Sequence, residues 1–107
     1  MEHEILNMLI EEYVQIYVLL KDKPDTVVLK GEGMWVGKGV LTKLLKKYAY
    51  MMPEEKLQLW KKLRWIDADE GHMTKRITVD GSRRRMVRIP VSVPETILRM
   101  MNVKGGV

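Results

Sequence analysis

Residues 74–91 read TKRITVDGSRRRMVRIPV, and this stretch decides the fold that the sequence predicts. Two β-rich runs, 74–79 and 83–91, flank the turn residues Asp80-Gly81-Ser82. Asp-Gly between two such runs is the strongest short-range signal for a β-hairpin. The sequence therefore predicts a hairpin in the second half of the chain.

The predicted hairpin is strongly basic. Asp80 at its tip is the only acid between residues 72 and 90, which hold six bases. The six are Lys75, Arg76, Arg83, Arg84, Arg85 and Arg88. A narrow A·T-rich minor groove has a negative potential that attracts arginine. The tip is therefore expected to contribute guanidinium groups to a DNA contact.

Two strand registers are compatible with this turn. If Asp80-Gly81-Ser82 forms a three-residue loop, the core-facing residues are Met73, Ile77, Val87 and Ile89. Arg83 and Arg85 then lie beyond them near the tip, and the other side presents Arg76, Arg84 and Arg88. A two-residue Asp80-Gly81 turn would shift the pairing by one residue and regroup these side chains.

Residues 2–21 are predicted to form the first helix, because apolar residues recur at three- and four-residue spacing from Ile5 to Leu20. Pro24 ends this helix, since a proline disfavours helical geometry in the residue before it. Residues 26–30 predict a short strand. The glycine-rich residues 31–39 predict a loop with a strand-like segment at 34–36, and their spacing does not match a phosphate-binding loop.

Two further helices are predicted before the hairpin. The second covers residues 40–49, and Pro53 suits the first position of a third helix that continues to about residue 64. Trp60 lies at the centre of the buried face of this third helix. Its opposite face carries Glu54, Glu55, Gln58, Lys61 and Lys62. A short last helix is predicted over residues 94–101.

The predicted order is helix, short strand, helix, tight turn, helix and basic hairpin. Over residues 5–91 this order resembles the winged helix-turn-helix family, most clearly in LWKKLRWI at 59–66 and TKRITVDG at 74–81. The chain is also similar in style to small DNA-binding accessory proteins of bacterial plasmids and conjugative elements, including those that act at an origin of transfer. The resemblance implies an α+β fold with one winged-helix domain over residues 1–101, which comprises three helices, a short strand, the hairpin wing and a short final helix. Residues 102–107 are predicted to be a flexible tail.

The resemblance also implies a function. In the family, the third helix enters the major groove and the wing touches phosphates or the minor groove. Carried onto this chain, the DNA-binding residues are Gln58, Lys61, Lys62, Lys75, Arg76, Arg83, Arg84, Arg85 and Arg88. Glu54 and Glu55 depart from the ideal because acids repel phosphates, so the wing is expected to contribute more than the helix. The prediction is a non-enzymatic protein that binds double-stranded DNA, as a plasmid-transfer accessory factor or alternatively as a transcriptional regulator.

Charge and composition agree with a polyanionic partner. The net charge is +5, but residues 1–25 contain six acids and two bases, so the rest of the chain carries the positive charge. The absence of cysteine excludes disulfides and thiolate metal sites. Glu2, His3 and Glu4 stand where a signal peptide would be basic, and charges interrupt the apolar first helix, so a cytoplasmic protein without membrane contact is predicted.

Catalytic chemistry finds no pattern in the sequence. His3 and His72 lack ligand spacing, Ser82 and Ser92 have no histidine placed by a motif, and the acidic residues 67–70 fit a plain turn. We therefore predict no enzyme activity, no cofactor, no metal and no small-molecule substrate.

Two other classes of function stay open. The first is a protein-interaction module in which the acidic first helix pairs with a partner or with a copy of itself, and the basic half only aids solubility. The wide apolar arc of that helix is compatible with a homodimer, which residue spacing does not establish. The second is RNA binding, which is disfavoured because residues 76–88 contain no aromatic side chain to stack on unpaired bases.

Overall fold

The structure is a computed structural model and describes residues 2–105. These residues form four α-helices and a four-stranded antiparallel sheet, which confirms an α+β fold. The helices are α1 (His3–Lys21), α2 (Lys38–Leu45), α3 (Pro53–Lys62) and α4 (Ser92–Gly105). The strands are β1 (Val27–Lys30), β2 (Gly33–Val36), β3 (Lys75–Val79) and β4 (Ser82–Pro90), and they lie in the order β1-β2-β4-β3.

The long strand β4 organises the sheet. Its first half, 82–86, pairs with β3, and its second half, 87–90, pairs with β2. β1 and β2 form a second hairpin, so the predicted short strand and the strand-like segment at 34–36 are partners. Because side chains alternate along a strand, one face of the sheet meets the helices. That face contributes the buried residues Met34, Val36, Val87 and Ile89.

The helices fill the other side of this core. α1 buries a stripe from Leu9 to Leu20, and Trp60 of α3 is completely buried, as its position on the helical wheel predicted. Tyr13 lies between two indoles, with its ring centroid 4.9 Å from that of Trp60 and 4.8 Å from that of Trp65. The three aromatic rings hold α3 and the segment after it against α1.

The second helix is shorter than predicted. α2 ends at Leu45 rather than at residue 49, and Tyr48, in the segment that follows it, is exposed. The carbonyl groups of a last helical turn lack partners within the helix and need donors from elsewhere. Here Lys56 Nζ donates to the carbonyl oxygens of Leu45 at 2.8 Å and Tyr48 at 2.6 Å. The chain can therefore leave the helix at this point without burying unsatisfied carbonyls.

Lys56 also forms a buried ion pair with Glu12 of α1. Lys56 is 0% exposed and Glu12 2% exposed, and Nζ lies 2.8 Å from Oε1. The Tyr50 hydroxyl donates to the same oxygen at 2.7 Å, and its ring centroid is 4.3 Å from Nζ. Buried charges persist only when they are paired and hydrogen-bonded. This cluster fixes α1, α3 and the turn between α2 and α3 relative to one another.

The last helix is longer than predicted. α4 runs over Ser92–Gly105 instead of residues 94–101. Residues 102–105 of the predicted tail are therefore helical, and residues 106 and 107 lie outside the described part of the chain.

A polar cluster attaches α4 to α1. The Tyr17 hydroxyl donates to Glu95 Oε2, and Lys21 Nζ lies 3.2 Å from the same oxygen. The hydrogen bond from Tyr17, followed by that from Lys21, lowers the pKa of Glu95 below its usual value. Burial, and then the hydrogen bond to Glu95, raise the pKa of Tyr17. Glu95 is therefore ionised and Tyr17 neutral near neutral pH.

Candidate nucleic-acid interface

The β3–β4 hairpin has a two-residue turn. Asp80 and Gly81 have φ angles of 50° and 79°, as a type I′ turn requires. Val79 pairs with Ser82, so Ser82 belongs to the strand and not to the loop. Of the two predicted registers, the structure has the one with the shorter turn.

This register decides which arginines share a face of the hairpin. Arg76 lies opposite Arg85, and Ile77 lies opposite Arg84. One face therefore presents Arg76, Arg83 and Arg85, and the other presents Ile77, Arg84 and Arg88. The grouping expected from a three-residue loop is wrong for Ile77 and Arg76, because a one-residue shift exchanges the two faces of one strand relative to the other.

A small apolar cluster supports the root of the hairpin. Trp35 of β2, Ile77 of β3 and Met86 of β4 are buried together on the sheet face that points away from the main core. Trp35 is 7% exposed, and its Nε1 donates to the carbonyl oxygen of Lys30 at 3.0 Å. The Lys30 ammonium in turn donates to the carbonyl oxygen of Thr78 at 3.1 Å. These contacts join all four strands and fix the direction in which the hairpin projects.

The acidic turn between α3 and β3 holds three of the six predicted hairpin bases. Asp67 Oδ2 lies 3.2 Å from both Lys75 Nζ and Arg88 Nη1. Asp69 Oδ2 accepts from both terminal nitrogens of Arg85, at 2.8 and 3.0 Å. The turn therefore has a role that its sequence did not indicate, since it orients Lys75, Arg85 and Arg88.

The other three hairpin bases are exposed. Arg76, Arg83 and Arg84 have no hydrogen-bond or ion-pair partner among residues 2–102. Like charges directly opposite each other destabilise a sheet, and Arg76 faces Arg85. Asp69 offsets that repulsion by neutralising Arg85, which leaves the guanidinium of Arg76 available to an external anion.

The three α3 residues that were predicted to bind DNA also divide into exposed side chains and one that is held by the protein. Gln58 and Lys62 are exposed. Lys61 is half-buried, and its Nζ donates to the carbonyl oxygens of Asp69 at 3.1 Å and His72 at 2.8 Å. Lys61 therefore attaches α3 to the acidic turn. Of the two acids expected to repel phosphates, Glu54 forms an ion pair with Lys38 at 3.0 Å.

Sequence reasoning missed Arg64, which follows the C-cap residue Leu63 of α3. The Arg64 N–H donates to the Lys61 carbonyl at 3.0 Å, and the Trp65 N–H donates to the Trp60 carbonyl at 2.8 Å. These two bonds are those of a Schellman motif, whose left-handed residue is usually glycine. Arg64 has a φ of 61°, a conformation that costs an L-residue about 1–2 kcal/mol. The sequence offers one signal for this residue, which is that no glycine stands at the predicted end of the third helix.

Arg64 lines a cleft of about 410 Å³ between the end of α3 and β4. The same cleft is lined by two further bases, Lys61 and Arg88, and by the carboxylate of Asp67. Basic side chains thus lie both along the hairpin and where α3 meets it.

Within the described residues, no group of three or more histidine, aspartate or glutamate side chains could hold a metal ion. None of the helices in residues 2–105 is long and apolar enough to cross a membrane. No protein-family model matches the chain, and no curated protein matches it in sequence.

Proposed function

We propose that the protein is a non-enzymatic double-stranded DNA-binding protein of the winged helix-turn-helix type, with the β3–β4 hairpin as its wing. The observation that supports this most strongly is the exposed trio Arg76, Arg83 and Arg84. These arginines stand on a hairpin whose base is buried, so the backbone that carries them is fixed while their charges are not neutralised. Exposed guanidinium groups on such a hairpin suit the phosphates and the narrow minor groove of a duplex.

The order of elements supports the same class. β2, β4 and β3 are neighbours in that order, and α2, a turn and α3 lie between β2 and β3 in the sequence. This agrees with a short strand, two helices and a wing, as the resemblance implied. β1 adds a strand at the edge of the sheet next to β2.

The distribution of charge favours one orientation on the duplex. Three exposed acids, Glu2, Glu4 and Glu11, lie just before α1 or in its first half, whereas the exposed bases of the hairpin belong to β3 and β4. A polyanion attracts the hairpin and repels the start of α1. α3 then adds Gln58, which can read adenine, and Lys62, which can contact phosphate or guanine.

The test is duplex binding across a salt series, with A·T-rich and G·C-rich duplexes. The variant is Arg76→Ala, Arg83→Ala, Arg84→Ala. The matched control is Lys23→Ala, Lys47→Ala, Arg99→Ala, which removes three exposed bases from other parts of the chain.

We expect the hairpin variant to lose at least about 3 kcal/mol of binding free energy, a factor of more than about 100, because a hydrogen bond to a charged group is worth about 1.5–3 kcal/mol. Its salt dependence becomes shallower by about 0.9 for each lost phosphate contact. Its preference for A·T-rich DNA disappears, whereas the control variant keeps that preference. Equal losses of binding free energy in both variants would mean that the hairpin contributes only its net charge to binding.

If the native chain binds neither duplex at low salt, the DNA proposal fails and the protein-interaction module takes its place. In that module the acidic first helix makes the contact, and the exposed methionines Met100 and Met101 of α4 add apolar surface. The role as an accessory factor of a conjugative element, the role as a transcriptional regulator and the homodimer stay predictions from the sequence.

A further inference from the structure

The backbone conformation just after α3 does not require an arginine at position 64. Glycine at position 64 would complete the same Schellman motif without the strain of a left-handed L-residue. The helix end is otherwise well determined, because Trp65 packs on Tyr13 and the hydrogen bonds around Arg64 are in place. The observed strain therefore points to a use for the guanidinium group itself.

The surroundings of Arg64 suit an anion. Arg64 is exposed, and none of the residues 2–102 forms a hydrogen bond or an ion pair with its guanidinium. The two other bases of the cleft are already oriented: Lys61 by two backbone carbonyls, and Arg88 by Asp67 and by the carbonyl oxygen of Gly31 at 2.6 Å. An anion that enters the cleft meets two fixed cationic groups and one adjustable one.

The lining of the cleft has an excess of two positive charges, which suits an anion. Three bases line it against the single carboxylate of Asp67, which also pairs with Lys75 outside the cleft lining. Arg64 offers a planar fork of donors that fits the oxygens of a phosphate, whereas the pre-oriented Lys61 and Arg88 add charge close by. A phosphodiester has the charge and the acceptors that this arrangement lacks.

We propose that Arg64 binds a backbone phosphate of the duplex in the cleft between α3 and β4, and so fixes the register of the helix relative to the wing. This inference rests on the proposed function, because it assumes that α3 and the hairpin lie on the same DNA. The contact selects no base. It sets how far α3 advances into the groove when the hairpin is seated.

The variant Arg64→Gly tests the inference because it separates stability, which is not expected to fall, from affinity for the duplex, which is. Its melting temperature rises or stays level, because glycine removes the strain. Its dissociation constant for a duplex at low salt rises at least fivefold, and its salt dependence becomes shallower by about 0.9, as expected for one lost phosphate contact. Arg64→Lys keeps the charge but lacks the fork of donors, so it recovers only part of the affinity, and Arg99→Gln, an equal charge loss on α4, leaves affinity near the native value.

An Arg64→Gly protein that binds the duplex as tightly as the native chain would overturn the inference while leaving the DNA proposal intact. A native chain that binds no duplex would overturn both. Inorganic phosphate at constant ionic strength separates a backbone phosphate from a free anion. Phosphate binding to the free chain that Arg64→Gly abolishes, together with duplex binding that Arg64→Gly leaves unchanged, would assign the cleft to a free anion. A backbone contact predicts instead that Arg64→Gly weakens duplex binding.

Discussion

Replacing Lys56 by methionine tests the buried ion pair that positions α3. Methionine has a similar length and no charge, so the substitution removes the ammonium with little change in volume. Glu12 would then be 2% exposed with only the Tyr50 hydroxyl as a donor, and the carbonyls of Leu45 and Tyr48 would lose theirs. The structure therefore predicts a large loss of stability from one side chain.

The expected size of the loss follows from the burial. Removing one partner of a buried ion pair costs about 3–5 kcal/mol, because the other charge stays buried and uncompensated. A domain of this size has about 5–15 kcal/mol of total stability. With a urea m-value of about 1–2 kcal/mol/M, the unfolding midpoint of Lys56→Met falls by about 1.5–5 M. Equilibrium urea unfolding followed by tryptophan fluorescence measures this shift.

A double variant separates the charge from the packing. Glu12→Leu combined with Lys56→Met removes both charges, so it recovers at least half of the loss seen in Lys56→Met alone. Recovery stays incomplete because the two backbone carbonyls still lack their donor. A loss below about 1 kcal/mol in Lys56→Met would mean that the pair is solvated. The early end of α2 would then need a cause other than the hydrogen bonds from Lys56.

Three further outcomes follow from the structure. Trp35→Ala removes the largest side chain under the hairpin and lowers the free energy of unfolding by about 3–5 kcal/mol. Hydrogen-exchange protection is then lost first in β3 and β4, whereas uniform loss across the fold would contradict a local role of Trp35 in supporting the hairpin. Asp69→Asn releases Arg85 for an external phosphate, so the salt dependence of duplex binding steepens by about 0.9, whereas an unchanged slope would show that Arg85 lies away from the DNA. The pKa of Glu95 is lowered in the folded chain, so the contribution of Glu95 to stability is present at neutral pH and is lost as the pH falls below about 4.5 and through the lower folded value. The stability difference between the native chain and Tyr17→Phe therefore narrows in acid. A difference in urea midpoint that stays constant with pH would argue against the Tyr17–Glu95 bond.

Local signals in the sequence were sufficient for much of the fold. Pro53 marks the start of α3, Asp80-Gly81 marks the hairpin turn, and the apolar spacing around Trp60 identifies a buried face. Each of these signals depends on residues within a few positions of one another. The register of the hairpin was narrowed to two alternatives, because Ser82 fits either a loop or a strand and only the pairing with Val79 decides between them.

Long-range polar contacts could not be predicted in the same way. Glu12 and Lys56 are 44 positions apart, and Asp69 and Arg85 are 16 apart, so no spacing in the sequence joins them. The consequence for the candidate site is that all six hairpin bases looked equivalent. Only the folded arrangement distinguishes the bases that carboxylates hold from the exposed trio.

The most direct test of the proposed DNA-binding surface is an NMR titration of the ¹⁵N-labelled chain with an A·T-rich duplex, followed at the arginine Nε and backbone amide resonances. The proposal predicts large shifts for Arg76, Arg83 and Arg84, with none for the backbone amides of the first half of α1. Shifts confined to α1 and α4, or no shifts at low salt, would contradict a duplex contact made by the β3–β4 hairpin.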